Sequence, residues 1–289
     1  MRVGIVTDST AYLPAHLLPG GEVLTVPLSV LVDTDTYVEG VDRPDGELGR
    51  AIARAGGATT SRPSPSAFLS AYERLAAEGA REIVSVHLSA ALSGTYDAAV
   101  LAAGVAPVAV RVVDSAAMGM ALGYAVLDAV RCAREGGDGR AVAEAARATA
   151  GSSTVLFCVA SLEFLRRGGR IGAASALLGS ALAVKPILQL REGRIVPVEK
   201  QRTMGRAVSR LADLAAAAAA EAAEAGNRGR RSRVTVHHVG APERAAQAAE
   251  LVGRLGGEAL VGEPLIVEMG LVAATHLGPG SVGMIVSPA

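Results

Sequence analysis

The chain has 289 residues, long for one domain and comfortable for two, and either arrangement buries a sizeable core. Lys and Arg together number 28, as do Asp and Glu, so the net charge of zero gives no general reason to expect nucleic acid or an anionic membrane as partner. Half the residues are apolar, yet aromatics make up only 3% and Trp is absent, so the core is built from Ala, Val, Leu and Ile, which suits an α/β fold. Cys132 and Cys158, the only cysteines, lie outside any CxxC or Cys/His cluster, which points to a reducing compartment and against a structural zinc.

The amino terminus reaches Asp8 after an apolar run too short for the core of a signal peptide, and a cytoplasmic location is expected. Val3 to Thr7, Val23 to Leu31, Glu82 to Leu88, Val108 to Val113 and Val155 to Val159 read as strands. The Ala/Leu-rich segments between them imply helical crossovers and a mostly parallel amino-terminal sheet. Ser64 before Pro65 is an N-cap, Phe68, Leu69, Tyr72, Leu75 and Ala76 share one face, and Gly79 ends the helix. This puts Thr60 and Ser61 in the loop just before that helix. Ser93 and Gly94 similarly stand at a turn opening the next one. Both polar clusters then lie beyond strand carboxyl ends, where open parallel sheets bind ligands.

The character changes near Ser161, where we place the boundary between a domain of residues 1–160 and one of 161–289. SLEFLRRGGRIG gives a short helix, a glycine turn and Arg170, followed by a nearly charge-free helix from Ala173 to about Val184. Two strands, Pro186 to Leu190 and Arg194 to Val198, are joined by the turn REG. A helix from about Met204 to Ala225 follows, with an alanine-rich stretch that favours helix and encodes nothing chemical. The basic run NRGRRSR has no interleaved aromatics and reads as a solvated loop rather than a nucleic-acid patch. The strand Val234 to Val239, a helix from Pro242 to about Leu255, and strands near Leu265 to Met269 and Gly283 to Val286 complete a mixed carboxy-terminal sheet. Met269 to Ala289 carries no charged side chain, but His276, Pro279 and repeated glycines break it, so it is not read as a membrane span.

Gly278 to Gly283 matches GxGxxG as a string, but a strand and then the chain end follow it, whereas a dinucleotide fingerprint needs a helix there. No GxxxxGK[ST], GxSxG or HExxH is present. Asp8, Ser9 and Thr10, and likewise Asp114 and Ser115, follow strands and read more simply as caps and turns than as nucleophiles. The hydroxyls of TTSRPS and LSGTY, with His276 beside a Gly-Pro-Gly turn, are natural donors to an anion. Each alone is an ordinary cap or turn.

Taken together, VGIVTDST, VPLSVLVD, TTSRPSP, HLSAALSGTY, VVDSAAMGMALG, SLEFLRRGGRIG, KPILQLREGRIVPVEKQRT and HLGPG resemble, in order and spacing, the DegV family of fatty-acid-binding proteins. The resemblance implies a cytoplasmic bacterial two-domain α/β protein that binds a fatty acid such as palmitate, stearate or oleate between its domains, with no cofactor besides that ligand. It implies that Thr60, Ser61, Ser93 and His276 hold the carboxylate, that Arg170 is the basic residue near the head group, and that Arg202 lies on a surface meeting a partner. That partner is a separate ATP-binding fatty acid kinase, which phosphorylates the carboxyl group to an acyl phosphate. The chain itself is then a carrier and not an enzyme, with no nucleic acid partner and with transient membrane contact allowed. Arg62 stands where the family usually has Gln, and Ala90 where Ser is common. The competing readings are a self-sufficient hydrolase or phosphotransferase using Asp8 or Ser93 with His276, and a lipid-sensing regulator acting through the helix at Ala173.

Overall fold

The computed structural model describes residues 2–18, 23–42, 58–177, 184–224 and 231–289. Its described residues fall into two compact units, one holding those up to Asp42 and from Thr60 to Gly151, the other Ala58, Thr59 and those from Ser152 on.

In the first unit, strands β1 (Val3–Asp8), β2 (Val23–Val26), β6 (Glu82–His87) and β7 (Ala109–Asp114) form an all-parallel sheet in the order β2-β1-β6-β7. Every residue of β1 is buried, as expected of a parallel strand covered on both faces. Helices α1 (Pro65–Ala77) and α2 (Thr95–Ala103) cover one face, where Phe68, Tyr72 and Leu75 pack with Val6, Ile83, Ala98 and Ala102. Helices α3 (Met120–Arg134) and α4 (Gly139–Gly151) pack against each other and against strands of the same sheet. The Ser64 hydroxyl accepts from the Ala67 amide at 3.2 Å, capping α1 as its sequence requires. The expected strand Val23 to Leu31 is instead two strands, β2 and β3 (Ser29–Val32), separated around Pro27. A proline lacks the amide that a continuing ladder would use. Strand β3 belongs to a small sheet of order β4-β3-β5, with β4 (Asp35–Val38) and β5 (Ala58–Ser61).

The second unit is built on a mixed sheet of order β10-β9-β8-β13-β11-β12. Its members are β8 (Thr154–Cys158), β9 (Lys185–Arg191), β10 (Arg194–Gln201), β11 (Ser232–His238), β12 (Leu265–Glu268) and β13 (Val282–Pro288). Because β8 pairs with β9 and β13, the division falls before it, ahead of the boundary expected near Ser161. The β9–β10 hairpin turns on Glu192 (φ 50) and Gly193 (φ 73), the paired left-handed residues that suit the right-handed twist of a two-residue connection. Helices α6 (Met204–Glu224) and α7 (Pro242–Gly256) lay alanines and Val208, Leu211 and Val252 onto Leu156, Ile187, Val236 and Met284. The alanine-rich stretch is therefore the core face of α6.

Two short helices complete the unit, α5 (Glu163–Arg167) and α8 (Leu271–Leu277). The helix expected from Ala173 is a 3-10 turn over Gly172–Leu177, and positions 178 to 183 lie outside the described residues. So does most of the basic run, at 227 to 230, while Ser232 and Arg233 are already in β11. No helix among the described residues is long and apolar enough to cross a membrane.

Candidate functional site

In the first unit the Ser93 loop is fixed by acidic side chains at the ends of the neighbouring strands. Asp8, at the end of β1, is wholly buried, and its Oδ2 accepts from the Leu88 amide at 2.9 Å and contacts His87 Nδ1 at 3.0 Å. Its Oδ1 accepts from the amide and the hydroxyl of Thr10. His87 Nε2 meets Ser85 Oγ at 2.6 Å, the Tyr72 hydroxyl donates to the same oxygen at 2.9 Å, and the Phe68 ring stands edge-on to the imidazole. Burial pushes the Tyr72 hydroxyl up to about 12, so it stays a neutral donor. Asp114 Oδ1, at the end of β7, accepts from the amides of Ala90 (3.1 Å) and Ala116 (2.8 Å). The Ser89 amide donates to Ala117 O at 2.9 Å and the Ser93 amide to Ser89 O at 3.2 Å. Asp8 and Asp114 are thus clamps on the turn that carries Ser93, and the carboxylate of Asp8 is occupied at both oxygens and sealed from substrate. A sequence reading of caps at these strand ends captures their type but not the segment they hold.

Ser93 itself is half-buried, with Oγ 2.8 Å from Thr95 Oγ1 and accepting weakly from the Thr95 amide at 3.3 Å as α2 begins. Thr60 and Ser61 are not in a loop, as expected, but are the last residues of β5, and the loop begins with Arg62. A β-branched threonine suits the strand, and pairing with β3 extends the ladder to it. The segments meet through Arg62, whose Nη1 donates to Gly94 O at 3.3 Å.

In the second unit His276 lies in the last turn of α8, beside Gly168 at the end of α5. A Cβ at Gly168 would lie 2.1 Å from His276 Nδ1, so the glycine is what admits the ring. Burial, and then the Arg170 guanidinium, push the His276 imidazole down to about 4, so it is neutral at neutral pH and offers one N–H donor. Arg170 is half-buried and donates to Gly168 O. The two other arginines of this segment, Arg166 and Arg167, are spent on Glu163, whose carboxyl they hold down at about 2. Gly278 (φ 75) and Gly280 (φ 80) turn the chain from α8 into β13, and the Phe164 ring fills the space a Cβ at Gly278 would need. The GxGxxG string is a turn between helix and strand, as expected. Arg202 is exposed just past the end of β10.

Cys158 is buried in the second core, its thiol pushed up to about 12 by that burial, and Cys132 is also a free thiol. Among the described residues no group of three or more His, Cys, Asp or Glu side chains could hold a metal ion.

The chain is similar to known proteins over nearly its whole length. A family model described as "Uncharacterised protein, DegV family" matches residues 2–289. A DegV domain-containing protein of Streptomyces coelicolor is 46% identical over 287 residues, covering 99% of this chain and 98% of its own. A solved DegV family protein of Thermus thermophilus, described for its fatty acid binding, aligns with a TM-score of 0.86 at 36% identity over all of both chains. DegV of Bacillus subtilis, described as a fatty acid binding protein, aligns with a TM-score of 0.86 at 29% identity, again over all of both chains. On the match of its own residues from 2 to the end, the chain belongs to the DegV family.

Proposed function

We propose that this chain binds a long-chain fatty acid and presents its carboxylate to a separate ATP-dependent kinase. The observation that carries the reading is the convergence, through Arg62 and Gly94, of the Thr60–Ser61 strand end with the clamped turn bearing Ser93. Full-length relatives described as fatty acid binders support the choice of ligand. Thr60, Ser61 and Ser93 supply hydroxyl donors to the carboxylate, and His276 adds a neutral imidazole N–H. Arg170 supplies a positive charge near the head group.

The division of labour follows from magnitudes. A tail of about 14 methylenes, at about 0.8 kcal/mol for each one buried, contributes about 11 kcal/mol before costs, whereas a hydrogen bond to a charged group contributes about 1.5–3 kcal/mol. The tail therefore supplies affinity and the polar residues fix orientation. Orientation matters because one carboxylate oxygen is the nucleophile: it attacks the terminal phosphorus of ATP, the bond to the bridging oxygen breaks, and ADP leaves as the acyl phosphate forms. Arg170 offsets the negative charge that gathers at the head group. Arg202 belongs to the surface that meets the kinase. The chain has no catalytic role alone, and the burial of Asp8 favours this over a self-sufficient enzyme.

Denaturing mass spectrometry of freshly purified protein tests the ligand and should release about one fatty acid per chain. Empty protein that also fails to take up added palmitate or oleate overturns the reading. In a coupled assay with a fatty acid kinase, Arg202→Ala should retain lipid and lose acyl phosphate formation; unchanged turnover removes Arg202 from the docking surface.

A further inference from the structure

We infer that Arg62 is the charge-reading residue of this head-group site, the side chain that makes the protein select ionised lipids over neutral ones of the same length. The inference rests on the fatty acid reading proposed above and adds to it a residue and a selectivity. Arg62 directly follows Ser61 and is exposed, and its guanidinium reaches across to the turn that carries Ser93. One N–H is spent on Gly94 O, and no ion pair joins the guanidinium to a carboxylate among the described residues. An arginine next to hydroxyl-bearing residues, with no acidic partner among the described residues, has the rest of its planar fork of donors left for an anion, and a carboxylate fits that fork.

Gly94 is the independent sign that the placement is built. Its backbone (φ −74, ψ 16) is open to any residue, so no turn geometry demands glycine there. What excludes a side chain is Arg62: a Cβ at Gly94 would lie 2.1 Å from Nη1 and 3.1 Å from Cδ and Cζ. The glycine leaves a bare peptide on which the guanidinium lies, one residue after Ser93 in the chain. Adding one methyl at Gly94 displaces the guanidinium without straining the backbone, which separates the position of the charge from its presence.

The test compares palmitate with 1-hexadecanol, identical in chain length and lacking the charge, by displacement of a fluorescent lipid from delipidated protein at 50 and 500 mM NaCl. Parent protein should prefer palmitate, with a preference that shrinks as salt screens the guanidinium. Arg62→Gln should lower palmitate affinity about tenfold toward that of hexadecanol and weaken the salt dependence, leaving only the share that Arg170 supplies. Gly94→Ala should do the same in part although the arginine is still present. Thermal unfolding close to that of the parent is expected for both variants, since Arg62 is exposed. Palmitate affinity and salt dependence in Arg62→Gln equal to those of the parent overturn this inference while leaving fatty acid binding intact. A parent protein that takes up neither lipid overturns the fatty acid reading, and the role of Arg62 with it.

Discussion

Replacing Gly168 with alanine isolates the contribution of the His276 imidazole. Gly168 sits at φ −68, a conformation alanine adopts freely, so the substitution adds no backbone strain. Its new methyl would stand 2.1 Å from His276 Nδ1 and 2.8 Å from Cε1, against the 3.4 Å at which ordinary contact begins. The Phe164 carbonyl, 3.3 Å away, also crowds the methyl and leaves it little room to yield. The ring must therefore retreat by about 1.3 Å, the difference between 3.4 and 2.1. Crowding of this kind costs about 1–3 kcal/mol of stability. A ring displaced that far no longer makes the hydrogen bond proposed for it, and losing one to a carboxylate costs about 1.5–3 kcal/mol, or about 10- to 100-fold in affinity. Displacement of a fluorescent fatty acid by palmitate reads the affinity, and thermal unfolding reads the crowding. In a His276→Ala background the same methyl has room, so Gly168→Ala should there cost neither stability nor affinity. An equal loss of affinity in both backgrounds would mean that the effect does not pass through the imidazole, and the role given to His276 fails.

Asp8→Ala strands the buried amide of Leu88, both donors of Thr10 and His87 Nδ1, and should cost about 3–5 kcal/mol in urea unfolding. A loss below about 1 kcal/mol would show that water or rearrangement replaces the clamp. Gly278→Ala combines a left-handed backbone with a Cβ 2.4 Å from the Phe164 ring, and a destabilisation of about 2–5 kcal/mol is expected; a melting temperature equal to that of the parent refutes the packing of that turn. His237 is wholly buried and its imidazole is pushed down to about 4 by that burial, so folding favours the neutral ring. The stability this contributes is complete above pH 6.5 and is lost as pH falls toward 4, by about 3 kcal/mol, because the unfolded chain takes up the proton first. Urea unfolding of the parent and of His237→Gln between pH 8 and 4 should therefore differ in slope, and parallel profiles count against it.

Much of the fold is written locally. Ser64 and Pro65 start α1, REG closes the β9–β10 hairpin, and the runs at Val3 and Glu82 are apolar enough to be buried strands, because capping, turn geometry and period depend on neighbours in the chain. The same holds for the refusal of a nucleotide site at Gly278, where the order of helix, turn and strand decides. Other features depend on pairing between distant segments. Thr60 and Ser61 are strand residues because β3 lies beside them, and β8 belongs to the second unit because β9 and β13 flank it. That Asp8 and Asp114 clamp the Ser93 turn, that Gly94 yields its space to Arg62 and Gly168 to His276, follows only from three-dimensional contact. The kinds of elements, the family and the residues worth suspecting are legible along the chain. The tertiary structure decided which of those residues touch and which oxygens are already occupied, since hydrogen bonds and steric exclusion act over ångströms in space, whatever the separation along the chain.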